Sequence, residues 1–169
     1  ELLARSSIMI TEAVFLNGGL FPDLHHPTRM QKLVAGPLGP MMARLANEKT
    51  YSRGLQEVMN KPPSAEELHQ HWLATSRDGG KLVLPKLLGY IAERRANEER
   101  WVGALTGTPE VPKRFVWGPE DPVSGAHVLP EIRRRVPEAD VHVIEGVGHW
   151  PQLEDVAAVA AALRLGPSG

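Results

Sequence analysis

Two turns in this chain carry side chains whose types suit acid–base chemistry. Trp117-Gly118-Pro119-Glu120-Asp121-Pro122-Val123 follows the apolar run Arg114-Phe115-Val116-Trp117. Val147-Gly148-His149-Trp150-Pro151-Gln152-Leu153-Glu154 follows Val141-His142-Val143-Ile144. Asp121 and His149 are therefore expected just past the ends of two strands, where ligands and catalytic groups collect in parallel sheets. An imidazole that takes a proton from water needs a fixed carboxylate to orient it and to stabilise the imidazolium. Asp121 and His149 supply that pair of types, although Asp-Pro also starts ordinary turns and Gly-His also closes structural ones. No nucleophile accompanies them. Ser6, Ser7, Ser52, Ser64, Ser76, Ser124 and Ser168 all lack the Gly-x-Ser-x-Gly elbow that exposes a reactive oxygen.

Composition narrows the partners. The chain has 169 residues, 42% of them hydrophobic and 23% charged, enough for one soluble domain with a core. Nineteen basic residues against twenty acidic ones leave a formal charge of -1. That balance gives no electrostatic case for nucleic acid or an anionic membrane surface, and it favours a small uncharged organic substrate. No cysteine is present, so disulfides, a thiol nucleophile and thiolate metal ligation are excluded. His69 and His71 are two apart on a helix and point to different faces, and His25-His26 lacks nearby carboxylate spacing, so no metal site is expected. No apolar run reaches roughly 18 residues, so membrane association is not indicated and a cytoplasmic location is expected. The opening Glu1-Leu2-Leu3-Ala4-Arg5 reads as the middle of a helix, and the chain is expected to be a fragment.

The elements that must position Asp121 and His149 read as α/β, then all-helical, then α/β. Ile8-Met9-Ile10 and Ala13-Val14-Phe15-Leu16 read as a strand that stops at Asn17-Gly18-Gly19. Met30, Leu33 and Val34 share a helical face, and the Gly36 to Pro40 breaker separates it from a second stripe at Leu38, Met41, Met42 and Leu45. Ser64 and Glu67 form a capping box before Leu68 and Trp72, and Asp78-Gly79-Gly80 ends that helix. Leu84, Leu87, Leu88 and Ile91 mark a further helix whose solvated continuation runs from Glu93 to Arg100 and closes at Trp101. In the last third, Val128, Leu129, Ile132 and Val136 space as one helix face, with Arg133, Arg134 and Arg135 at its solvated C-terminal end. Leu153, Val156, Ala160 and Leu163 define a final one. Strand, helix, strand, helix with short loops implies right-handed crossovers and a parallel sheet.

The Gly-x-x-Asp-Pro and Gly-x-Gly-His turns, 28 residues apart, resemble the acid and histidine turns of the α/β-hydrolase fold, whose chain order is nucleophile, acid, histidine. Leu16-Asn17-Gly18-Gly19-Leu20-Phe21-Pro22, Tyr51-Ser52-Arg53-Gly54-Leu55, Arg100-Trp101-Val102-Gly103-Ala104-Leu105 and Pro151-Gln152-Leu153-Glu154-Asp155 resemble the mesoderm-specific transcript branch of that superfamily. The branch is close to haloalkane dehalogenases and epoxide hydrolases. The resemblance implies an α/β fold comprising the last three strands of the hydrolase sheet, with an inserted all-helical cap. Residues 1–26 and 107–169 would be hydrolase core and residues 27–106 the cap.

The resemblance also implies roles. His149 would activate water and Asp121 would orient and charge-stabilise it. The nucleophile, usually an aspartate in this branch, would lie upstream of Glu1, leaving the fragment inactive and its first strand without an inner neighbour. Such an aspartate attacks the alkyl carbon of a halide or epoxide to form an ester that water then cleaves, with no cofactor. Asn17 is expected to line the site or to bind its turn; an amide there cannot replace the acid. Tyr90 resembles the cap tyrosine that hydrogen-bonds an epoxide oxygen, with a core-edge tyrosine on a helix as the other reading, and Tyr51 is the remaining candidate partner. Trp72 and Trp101 are the candidate indole donors for a leaving halide, with packing as the other reading of Trp72. Trp150 is expected to wall the pocket. A serine at the upstream elbow would instead give esterase or lipase chemistry, and the absence of any nucleophile there would leave a binding protein.

Overall fold

A computed structural model describes residues 1–5 and 7–163; Ser6 and Ser168, two of the serines without an elbow motif, lie outside the described residues. Strands β1 (Ala13–Leu16), β2 (Lys113–Trp117) and β3 (Asp140–Val143) form a parallel sheet in the order β1-β2-β3. Between β1 and β2 the chain makes a helical insertion: α1 (Arg29–Ala35), α2 (Gly39–Leu45), α3 (Glu48–Gln56), α4 (Ala65–Ser76), α5 (Leu84–Leu87), α6 (Tyr90–Ala96) and α7 (Glu98–Thr106). α8 (Leu129–Arg135) links β2 to β3, and α9 (Pro151–Glu154) and α10 (Val156–Ala162) follow β3. Among the described residues no helix is long and apolar enough to cross a membrane.

β2 explains the layering. All five of its residues are buried, and successive side chains point to opposite faces. Phe115 and Trp117 join Phe21, Val128, Ile132 and Val136 under α8, whereas Val116 joins Val159 and Ala162 under α10. Phe15 stacks on Phe115 at 5.0 Å between ring centroids, which places that β1 side chain on the α8 face of the sheet, while Leu16 packs on the α10 face. Burying each of these aromatic rings contributes about 2–3 kcal/mol. Helices on both faces leave the strand ends, and the turns that follow them, as the natural place for a site.

Local sequence accounts for the helix starts. Ser64 and Glu67 form the expected capping box at α4, and Thr28 with Gln31 and Asn47 with Thr50 cap α1 and α3 in the same reciprocal way. The Gly36 breaker splits α1 from α2 as expected. α4 stops at Ser76, where Asp78 and Gly79 adopt positive φ.

Four expectations need correction. Ile8–Ile10 is not strand: Met9 is 91% exposed, and only Ala13–Leu16 finds a partner in β2. The segment from Leu84 to Trp101 is not one helix. It breaks at Gly89 and again at Asn97, and Trp101 lies inside α7. The buried face of the last helix is Val159 and Ala162, while Leu153 and Val156 are exposed, because α9 ends at Glu154 and Asp155 restarts the helix in a new direction. At the end of α8, Arg134 is solvated beside Glu131. Arg135 instead covers the Phe21 ring and pairs with Asp23 at 2.7 Å.

Candidate active site

The acid turn is built by its own hydrogen bonds. The Trp117 indole donates to the Ser124 carbonyl at 2.7 Å, pinning the loop against the end of β2. Asp121 closes an Asx turn by accepting from the Val123 amide at 2.7 Å. Its other oxygen accepts from the Ser124 hydroxyl at 2.6 Å and the Asn17 side-chain amide at 3.0 Å. Asn17 also accepts from the Gly118 amide at 2.6 Å and donates to the Gly118 carbonyl at 2.8 Å, so the β1 turn holds the β2 turn.

The histidine turn packs directly on this one. Glu120 N–H donates to the Val147 carbonyl at 3.0 Å. Gly118 is required by that approach, since a Cβ there would lie 2.4 Å from the Gly148 carbonyl oxygen. His149 Nδ1 then lies 2.7 Å from Asp121 Oδ2. The Asp121 side chain is wholly buried and His149 is mostly so, with 18% of its side chain exposed. Burial pushes the Asp121 carboxyl up, but the hydrogen bond and charge of His149, with the Ser124 and Asn17 donors, outweigh it and hold the group down at about 2. An ionised carboxylate only accepts, so Nδ1 carries the ring proton and Nε2 is left as the basic nitrogen.

The His149 ring borders a cavity of about 490 Å³ between the insertion and the sheet end. Its walls are mainly apolar, including Met30, Val34, Leu55, Val58, Trp72 and Leu84. Among the described residues no Asp, Glu, Lys or Arg lines it. Tyr51 is one of its few polar walls. Its hydroxyl accepts from Thr75 Oγ1 at 3.1 Å, which leaves the phenol proton free to donate.

The expected site residues separate into groups. Asp121, His149 and Asn17 come together, and Trp150 lines the cavity edge-on to the His149 ring at 5.4 Å. Asn17 does not line the cavity; its amide is taken up by Asp121 and Gly118, which makes it a turn-binding residue. Tyr90 lies outside the cavity, 40% exposed at the start of α6, beneath the Arg94 guanidinium at 4.7 Å. Arg94 in turn donates to the Gly19 carbonyl and ties the insertion to the β1 turn. Of the two indoles considered, Trp72 reaches the cavity, while Trp101 donates to the Glu1 carboxylate elsewhere.

Sequence reasoning missed Ser124 and His25. Ser124 had a usable signal in its three-residue spacing from Asp121, a side-chain-capped turn. His25 had none: it is 7% exposed, and neither ring nitrogen has a hydrogen-bond partner among the described residues. Burial, reinforced by the nearby charges of Arg94 and His149, holds it neutral, down at about 4.

The profile of the alpha/beta hydrolase family matches residues 2–162. The mesoderm-specific transcript homolog protein of Bos taurus is 39% identical over 145 residues, which are 82% of this chain and 43% of that protein. LipZ of Mycobacterium tuberculosis is 35% identical across 98% of this chain and 60% of its own length. The chain thus spans about half the length of the curated relatives it matches. A haloalkane dehalogenase variant, DbeA-M1 from Bradyrhizobium elkanii, superposes with a TM-score of 0.66 over 97% of this chain and 62% of its own, at 17% identity, a likeness of fold. The parallel strands are accordingly part of a hydrolase sheet, and the chain belongs to the alpha/beta hydrolase family.

Proposed function

We propose that the whole protein is a hydrolase in which His149, oriented by Asp121, activates water against an uncharged apolar substrate seated beneath the helical insertion. The observation that carries this reading is one imidazole doing two things: its Nδ1 is 2.7 Å from a buried carboxylate, and its ring borders a 490 Å³ apolar cavity. The volume lies within the roughly 300–1,000 Å³ of small-molecule sites. A charged substrate would lose hydration there without a partner, so an alkyl epoxide, a haloalkane or a neutral ester fits the walls. The insertion acts as the cap, and Trp150 and Trp72 wall the substrate.

The nucleophile comes from outside these 169 residues and is an aspartate. It attacks the alkyl carbon of a haloalkane or epoxide, breaking the carbon–halogen bond with release of halide or opening the epoxide C–O bond to an alkoxide that takes up a proton from water, and so forms an alkyl ester; Nε2 of His149 then removes a proton from water, whose oxygen attacks the ester carbonyl and releases the alcohol. The imidazolium is stabilised by Asp121 and returns its proton as the product leaves. Positioned base catalysis of this kind is worth on the order of 10² to 10⁴ in rate. The test is His149→Gln in the whole protein, incubated with each substrate type and read by peptide mass spectrometry. An alkyl adduct that accumulates on an upstream aspartate is the expected result; loss of turnover with no adduct on any carboxylate means serine ester chemistry, whose acylation also needs the histidine, and unimpaired turnover overturns the role of His149.

A further inference from the structure

We propose that Glu154 is a positioning residue that fastens the insertion to the histidine turn, so that cap closure and the orientation of His149 are one event. The carboxylate of Glu154, at the end of α9, gathers four backbone N–H groups. Oε2 accepts from Asn60 at 2.8 Å, Lys61 at 2.9 Å and Gly148 at 2.9 Å, and Oε1 accepts from Trp150 at 3.2 Å. Two of these donors belong to the insertion and two flank His149. A carboxylate so placed does what no neutral side chain can, because charge-assisted N–H bonds are about twice as strong as neutral ones.

Neighbouring contacts make the fastening specific. The His149 amide donates to the Val58 carbonyl at 2.9 Å, and the Asn60 side chain donates to the Gly146 carbonyl at 2.8 Å. The approach is close enough that a Cβ on Gly148 would meet the Val58 oxygen at 2.7 Å and the Asn60 nitrogen at 2.8 Å. Val58 and Met59 pack on Val123 of the acid turn. The segment Val58–Lys61 therefore touches both catalytic turns, and Val58 also walls the cavity. When the carboxylate is absent, four donors lose their acceptor at once, and the segment lifts away from Gly148. The catalytic consequence rests on His149 being the base; the fastening itself does not.

The test is backbone amide exchange in the whole protein, with Glu154→Ala and Glu154→Gln compared with the unsubstituted protein. The amides of Asn60, Lys61, Gly148 and Trp150 are expected to exchange at least about tenfold faster in Glu154→Ala, with partial rescue in Glu154→Gln and no change at Phe115–Trp117. In the same samples the His149 Nδ1 proton is expected to exchange faster with solvent, a readout that a purely structural role of Glu154 leaves alone. Unchanged exchange at the four amides overturns the proposal, as does uniform acceleration that includes β2 in Glu154→Gln. An unaltered Nδ1 proton beside four accelerated amides overturns the coupling to His149. The water-activation reading fails separately, through turnover in His149→Gln.

Discussion

The two strand-end turns and the helical insertion are built to different standards. Around Asp121 nearly every polar atom has a partner, and the ring of Trp117 and the side chain of Ser124 beneath it are fully buried. The insertion buries few of its apolar side chains: Met30, Leu33, Leu38, Met41 and Leu45 are all at least 40% exposed. Its helices are short, and three are started by capping boxes rather than anchored in a shared core. Acid–base geometry tolerates little displacement, whereas a substrate cavity can be lined by side chains that repack. The contrast is in keeping with the proposal that the turns carry the chemistry and the insertion selects the substrate.

The largest expected effect falls on the acid. Asp121→Asn in the whole protein leaves the turn its shape but gives Nδ1 the wrong partner, and turnover should drop on the order of 10⁴-fold, a magnitude known for triad acids of serine proteases. A drop under tenfold, measured by steady-state kinetics, would detach Asp121 from the chemistry. Next, Trp117→Ala should cost about 3–5 kcal/mol of stability in urea unfolding, because it removes both a core ring and the indole that holds the acid turn.

Acid pH should then weaken the region around the turns in two windows. His25 has its pKa lowered by burial from 6.5 to about 4, so the unfolded chain binds the extra proton first. Stability is full above about pH 6.5 and falls on the order of 3 kcal/mol as pH drops towards 4, a loss that His25→Gln should flatten. Asp121, held at about 2 against the ordinary 3.8, adds stability that is present above about pH 4 and lost as pH falls through 2, roughly 2 kcal/mol that Asp121→Asn should remove. The smallest effect should be Leu45→Ala, within about 0.5 kcal/mol in stability because the side chain is 68% exposed, with its influence confined to KM. A large loss of stability there would erase the contrast between the regions.

Much of this layout was legible in the residues. The acid and histidine turns followed from two apolar runs and two motifs, and β2 and β3 bring them together. The split of α1 from α2 and the start of α4 followed from Gly36 and from Ser64 with Glu67, which act locally. What escaped depended on distant partners. Ile8–Ile10 has strand composition but no neighbour to pair with, and Val159 was hidden because Asp155 resets the helix direction after α9. Asn17 was visible as a turn residue, yet the choice between lining the site and bracing it rested on Gly118, far along the chain. Tyr90 matched a family motif, but its position is governed by the break at Gly89 and by Arg94, and the cavity phenol is Tyr51 instead.

The central claim is that Asp121 holds the proton-bearing Nδ1 of His149 and leaves Nε2 as the base at the cavity. Nitrogen-15 NMR of the His149 imidazole at pH 8 tests it most directly. The expected result is a protonated Nδ1 and a bare Nε2 in the unsubstituted protein, with that preference lost in Asp121→Asn. A protonated Nε2, or a tautomer indifferent to Asp121, would contradict it.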